Sequence, residues 1–91
     1  MSITPEGKVK ADIKAYLNTI GAYYFMPVQT GYGKRTLDFL VCWKGKFYGI
    51  EAKRPGMDAT KFQRLIIAEI ERAGGEAFVA DNVDTVRRWL N

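Results

Sequence analysis

Histidine is missing from these 91 residues, serine occurs once, at Ser2, and cysteine once, at Cys42. Each absence removes a class of chemistry. Without histidine there is no imidazole acid or base and no Ser-His or Cys-His triad, and zinc sites of the usual Cys/His kind go with them. One cysteine cannot close an internal disulfide, and its neighbours Val41 and Trp43 make Cys42 read as a buried packing residue inside a strand. No apolar run approaches the roughly 18 residues that suggest a membrane span. The first ten residues, MSITPEGKVK, lack the apolar core of a signal peptide. A cytoplasmic chain with no membrane contact is therefore expected. Any catalysis must run on carboxylates, Lys, Tyr or a bound metal of the hard, oxygen-loving kind.

What is present fits one small domain spanning residues 1–91, with room for a single modest core. Its charge is uneven. Residues 1–54 carry net +5 and residues 55–91 net −1, giving the overall +4. A basic first half in a chain of pI near 9.3 favours a polyanionic partner, nucleic acid first.

Thr4, Pro5 and Glu6 form a helix start: an N-cap oxygen, a proline at the first helical position, an acid on the positive end of the dipole. Val9, Ile13, Leu17 and Ile20 recur at helical spacing up to Gly21. Residues 22–28, AYYFMPV, read as a strand that Pro27 marks as ending or lying at an edge. The stretch QTGYGKRT, 29–36, reads as a flexible loop. LDFLVCW (37–43) and FYGIEAK (47–53) are strands joined by a tight turn. Leu37, Phe39 and Val41 make one apolar face, matched by Tyr48, Ile50 and Ala52. A two-residue Lys44-Gly45 turn brings those faces together, with paired residue numbers summing to 89. Thr60 and Gln63 form a capping-box signature for a second helix, whose expected buried stripe is Phe62, Leu65, Ile66, Ile70 and Ala73, closed at Gly74-Gly75. EAFVA, 76–80, is a further strand. A last short helix, capped by Asp81 or Asn82, turns Val83, Val86 and Leu90 inward. The expected order is αβββαβα, a small mixed α/β sheet flanked by helices.

The expected register sets Asp38 opposite Glu51, with Lys53 on the same face one step beyond. Two carboxylates facing each other across a strand pair repel unless something cationic sits between them. A divalent ion resolves the repulsion: Asp38 and Glu51 each give an oxygen, the carbonyl of Ala52 another, and water the rest, as Mg²⁺ prefers. Lys53 beside that ion can position or deprotonate a water and neutralise charge on a phosphate. The competing reading of E-x-K is a solvated surface pair. Glu6 reads equally as a weaker metal residue or as a dipole-complementing acid, and Gln63 as a capping residue.

The stretch TLDFLVCWKGKFYGIEAKRPGMDATKFQ resembles the PD-(D/E)XK nuclease superfamily, with Asp38 as the D and Glu51-Ala52-Lys53 as the E-x-K. It is most similar to the small stand-alone members of the VRR-NUC (virus-type replication-repair nuclease) family of phages and their hosts. Gly56, Thr60 and Gln63 match that family's glycine-bearing loop and Ser/Thr-Gln helix start, and Glu6 its acidic N-terminal helix. Leu37 stands where the motif name has proline, a position that bears no catalytic group. The resemblance implies a restriction-endonuclease-like core and Mg²⁺-dependent cleavage of DNA, with Mn²⁺ able to substitute. It implies catalytic roles for Asp38, Glu51, Lys53, Gln63 and Glu6, the metal held by Asp38, Glu51, Ala52 and Glu6. It further implies a homodimer acting on branched, Holliday-junction-like DNA. Lys34, Arg35, Arg54 and Lys61 are the expected backbone contacts, and Tyr23, Tyr24, Phe25 and Trp89 the expected dimer contact, with core packing as their competing use. A non-cleaving binding module of the same fold and an RNA-directed nuclease are the alternatives.

Overall fold

The computed structural model describes residues 3–29 and 33–91. Ser2 and residues 30–32 of the expected 29–36 loop lie outside them; residues 33–36 run without helix or strand.

The sequence signals at the helix ends do their local work. Thr4 accepts from the Gly7 N–H at 3.0 Å to open α1 (Pro5–Ile20), and Gly21, at φ 79, closes it. Three strands follow, β1 (Tyr23–Phe25), β2 (Phe39–Trp43) and β3 (Lys46–Ala52), then α2 (Lys61–Arg72), β4 (Glu76–Ala80) and α3 (Val83–Leu90), the expected αβββαβα order. Thr60 and Gln63 complete the capping box of α2, and Asn82 caps α3.

The sheet runs β1-β2-β3-β4, antiparallel except for the parallel β3–β4 pair. The β2–β3 register is the expected one, from Phe39↔Ile50 to Trp43↔Lys46. Lys44 (φ 49) and Gly45 (φ 79) are both left-handed, as a two-residue turn matched to strand twist requires. α1 and α3 cover one sheet face over Phe39, Val41, Tyr48, Ile50, Ala52, Phe78 and Ala80. α2 covers part of the other, over Leu37 and Ala77. Gly49 is what lets α2 approach, since a Cβ there would stand 2.7 Å from Ile70 Cδ1 and 3.0 Å from Leu37 Cδ1.

Several expectations are corrected. β1 covers only three residues of 22–28, because Pro27 has no N–H to continue the ladder. β2 begins at Phe39, so Leu37 falls outside the strand and turns to the α2 face rather than joining Phe39 and Val41. On α2 the stripe is rotated: Ile66 is buried and Ile67 and Ile70 are partly so, while Phe62, Leu65 and Ala73 are exposed. Cys42 is exposed, not buried. It sits on the sheet face that α2 leaves bare, next to its cross-strand partners Tyr23 and Phe47. The four aromatics expected to form one contact are split. Tyr24 packs toward the core with its ring 6.2 Å from Phe39, and Trp89 stacks on Phe78 at 4.5 Å. Tyr23 (77% exposed), Phe25 (59%) and Phe47 (44%) share the bare face instead.

Candidate active site

The β2–β3 ladder stops at Phe39↔Ile50 because a side chain takes the next place in it. Asp38 Oδ2 accepts from the Ala52 N–H at 3.0 Å, standing in for a main-chain carbonyl. In a strand the N–H and C=O of one residue point to the same side, so the Ala52 carbonyl also faces Asp38. The other oxygen, Asp38 Oδ1, lies 3.4 Å from Lys10 Nζ on α1.

Among the described residues Glu51 is the one buried charged side chain, 5% exposed, on the face that α2 covers. Burial first, and then the negative charge of Asp38, push its carboxyl up to about 7 from an ordinary 4.5, against the opposing pull of Lys53. Lys53 Nζ stands 4.0 Å from Glu51 Oε2. The same oxygen accepts from Gln63 Nε2 at 2.8 Å, while Gln63 Oε1 accepts from the Thr60 N–H. One amide thus closes the capping box and orients the buried carboxylate.

Asp38, Glu51, the Ala52 carbonyl, Lys53 and Gln63 come together at the C-terminal end of β3. Lys10 is the residue that pattern reasoning missed. Its signal was its place on the inward edge of α1, between the core positions Val9 and Ile13. Glu6 lies one helical turn before Lys10 and is half-buried. Among the described residues, no three His, Cys, Asp or Glu side chains converge to hold a metal. Glu6 is therefore not gathered into a group with Asp38 and Glu51. The donor set is two carboxylates and a main-chain carbonyl, hard oxygens crowded enough that one carboxyl resists ionising. Such a set fits a small divalent cation.

The four cations expected on the backbone of a partner border this region. Lys34 Nζ pairs with Glu69 at 2.6 Å and holds that carboxyl below its usual range. Arg35 lies over the Phe62 ring, and Arg54 Nη2 meets the Met57 sulfur at 3.7 Å. Lys61 is exposed at the first turn of α2. The N-termini of α2 and α3 follow the C-terminal ends of β3 and β4. The start of α1 joins them, since Thr4 and Pro5 line the same pocket as Pro55, Asp81 and Asn82. Three positive dipole ends thus stand at the carboxylate end of the sheet.

Among solved structures, one described as a VRR_NUC domain superposes with TM-score 0.76 over 93% of this chain and 92% of that one, at 20% sequence identity. The chain has the fold of a VRR_NUC domain. The likeness is one of fold, the fold that the resemblance implies. No protein-family model and no curated protein matches the sequence.

Proposed function

We propose that the chain is a divalent-metal-dependent endodeoxyribonuclease. The observation that carries this reading is the pair of Asp38 and Glu51 at one strand end, with Glu51 buried, its carboxyl pushed up to about 7, and Lys53 4.0 Å away. Asp38, Glu51 and the carbonyl of Ala52 are the residues that would hold Mg²⁺ or Mn²⁺. When bound, the ion supplies Lewis-acid polarisation of a phosphoryl oxygen and makes water a better nucleophile. Lys53 orients the attacking water or takes its proton, and shields the charge that grows on the scissile phosphate. Gln63 holds the Glu51 carboxylate in register and reaches toward phosphate or water. Lys34, Arg35, Arg54 and Lys61 bind the DNA backbone, giving affinity without sequence preference.

The finer reading is a cytoplasmic, structure-specific enzyme, a two-fold homodimer cutting branched, Holliday-junction-like DNA. A domain of this size with one site has little surface to grip two duplex arms, and a dimer doubles the sites and the basic surface. The bare sheet face of Tyr23, Phe25, Cys42 and Phe47 is the apolar area it offers for that contact. Among the described residues no helix is long and apolar enough to cross a membrane.

Incubation with linear, flapped and four-way DNA, with and without Mg²⁺, tests the assignment, and light scattering reports the mass in solution. Mg²⁺-dependent cutting that favours the four-way substrate is expected. Undiminished cutting in excess chelator discards the metal. A strict monomer that cuts linear and four-way DNA equally removes the junction specificity and leaves the nuclease.

A further inference from the structure

Phe62 precedes Gln63 on α2, yet it points away from the core and is 44% exposed. The guanidinium carbon of Arg35 lies 4.9 Å from its ring centroid. Phe62 is the chain neighbour of Gln63, its Cα about 3.8 Å away, and the Gln63 amide holds Glu51 at 2.8 Å. Arg35 stands three residues before Asp38. The aromatic–guanidinium pair is therefore tied through both of its chain segments to the two carboxylates of the site. An exposed ring that already accepts one flat cation on its face has the geometry that also accepts a nucleobase, and arginine stacks on bases in the same way. Lys61, the preceding residue and exposed, supplies charge complementary to a flanking phosphate.

We propose that Phe62 and Arg35 form a stacking platform for an unpaired DNA base next to the scissile phosphate. The proposal rests on the nuclease reading and narrows its substrate. Inside a continuous duplex both faces of each base are occupied by neighbours, so a protein ring at this position selects strands whose bases are freed, at a flap, a branch or an end.

The test uses the full chain in chelator, so that binding is read without cleavage. The probe is a flapped DNA carrying 2-aminopurine at the unpaired position nearest the junction, with a fully paired duplex of the same length as reference. Titration of the wild type changes the 2-aminopurine fluorescence. Phe62→Ala abolishes that change and weakens binding of the flapped DNA by on the order of tenfold or more, while duplex binding is unaffected. Phe62→Trp restores both signals, which separates stacking from a folding defect, and Arg35→Gln gives a partial loss. Equal binding of flapped DNA by wild type and Phe62→Ala, with the same fluorescence response, overturns the platform even if Mg²⁺ then supports cutting. A Phe62-dependent response in a protein that never cuts with Mg²⁺ upholds the platform and sinks the nuclease reading. Failure to bind any of these DNAs overturns both.

Discussion

Gln63 donates to Glu51 at 2.8 Å with one end of its amide while the other end accepts from the Thr60 N–H at 2.8 Å. Removing that amide therefore has two separable effects. Gln63→Ala is expected to lose about 1 kcal/mol of stability at the α2 start. It should also raise the Mg²⁺ concentration for half-maximal cleavage by roughly 10- to 100-fold, as loss of a group orienting a ligand does. A Mg²⁺ titration beside a thermal melt resolves the two; a lower melting temperature with an unchanged Mg²⁺ requirement would leave Gln63 as a capping residue only.

Lys53→Ala and Asp38→Ala should each slow cleavage by about 100-fold or more, the usual consequence of deleting an electrostatic group at a transition state, with the fold intact. Calcium should bind without supporting reaction, because its loose coordination orients water poorly. Single-turnover rates in Mg²⁺ and Ca²⁺ measure both. Near wild-type turnover by Lys53→Ala would return E-x-K to a surface pair.

Stability should depend on pH through Glu51. Its carboxyl titrates at about 7 in the folded chain against an ordinary 4.5. Between those values the folded protein keeps a proton that the unfolded chain has lost, so this contribution falls as pH rises from about 4.5 to about 7 and levels off above. Melts in chelator should show the decline in wild type and a flatter profile with a higher high-pH plateau in Glu51→Gln. Stabilisation by Mn²⁺ should be larger at pH 8 than at pH 5.5, since the ion needs the ionised carboxylate. Identical slopes for the two proteins would assign the pH dependence to other groups.

Cys42 makes the bare sheet face measurable. In dilute native protein its thiol should react with a disulfide reagent about as fast as in the unfolded chain, and Cys42→Ala should change stability by less than ~0.5 kcal/mol, the range for exposed positions. If Tyr23, Phe25 and Phe47 form the dimer contact, labelling slows as protein concentration rises. Full reactivity in a sample that light scattering reports as dimeric moves the interface elsewhere.

How much of this was legible in the sequence differs from residue to residue. Caps and turns were, because Thr4, Thr60, Gln63 and Gly45 act on backbone groups within a few positions of themselves. The β2–β3 register was too, since alternation has only two phases and the turn selects one. Cys42 and the α2 stripe were not. Alternation says which strand residues share a face, and only the placement of α2 over Leu37 and Ala77 decides which part of that face is covered. Lys10 was hidden for a related reason: its partner Asp38 is 28 residues away and on another element, and no local spacing encodes that meeting.

The Lys44-Gly45 turn lies at the far end of β3 from Glu51, roughly 20 Å at the rise of an extended strand. It is solvent-exposed and touches nothing chemical, the kind of place where insertions are ordinarily harmless. Here its length counts the strands into phase. One residue added at that tip would slide β3 by a step against β2 and carry the carboxylate of Glu51 to the opposite surface of the sheet. A tolerance scan of insertions along the chain would therefore find a forbidden position where a map of distance from the site forecasts a permissive one.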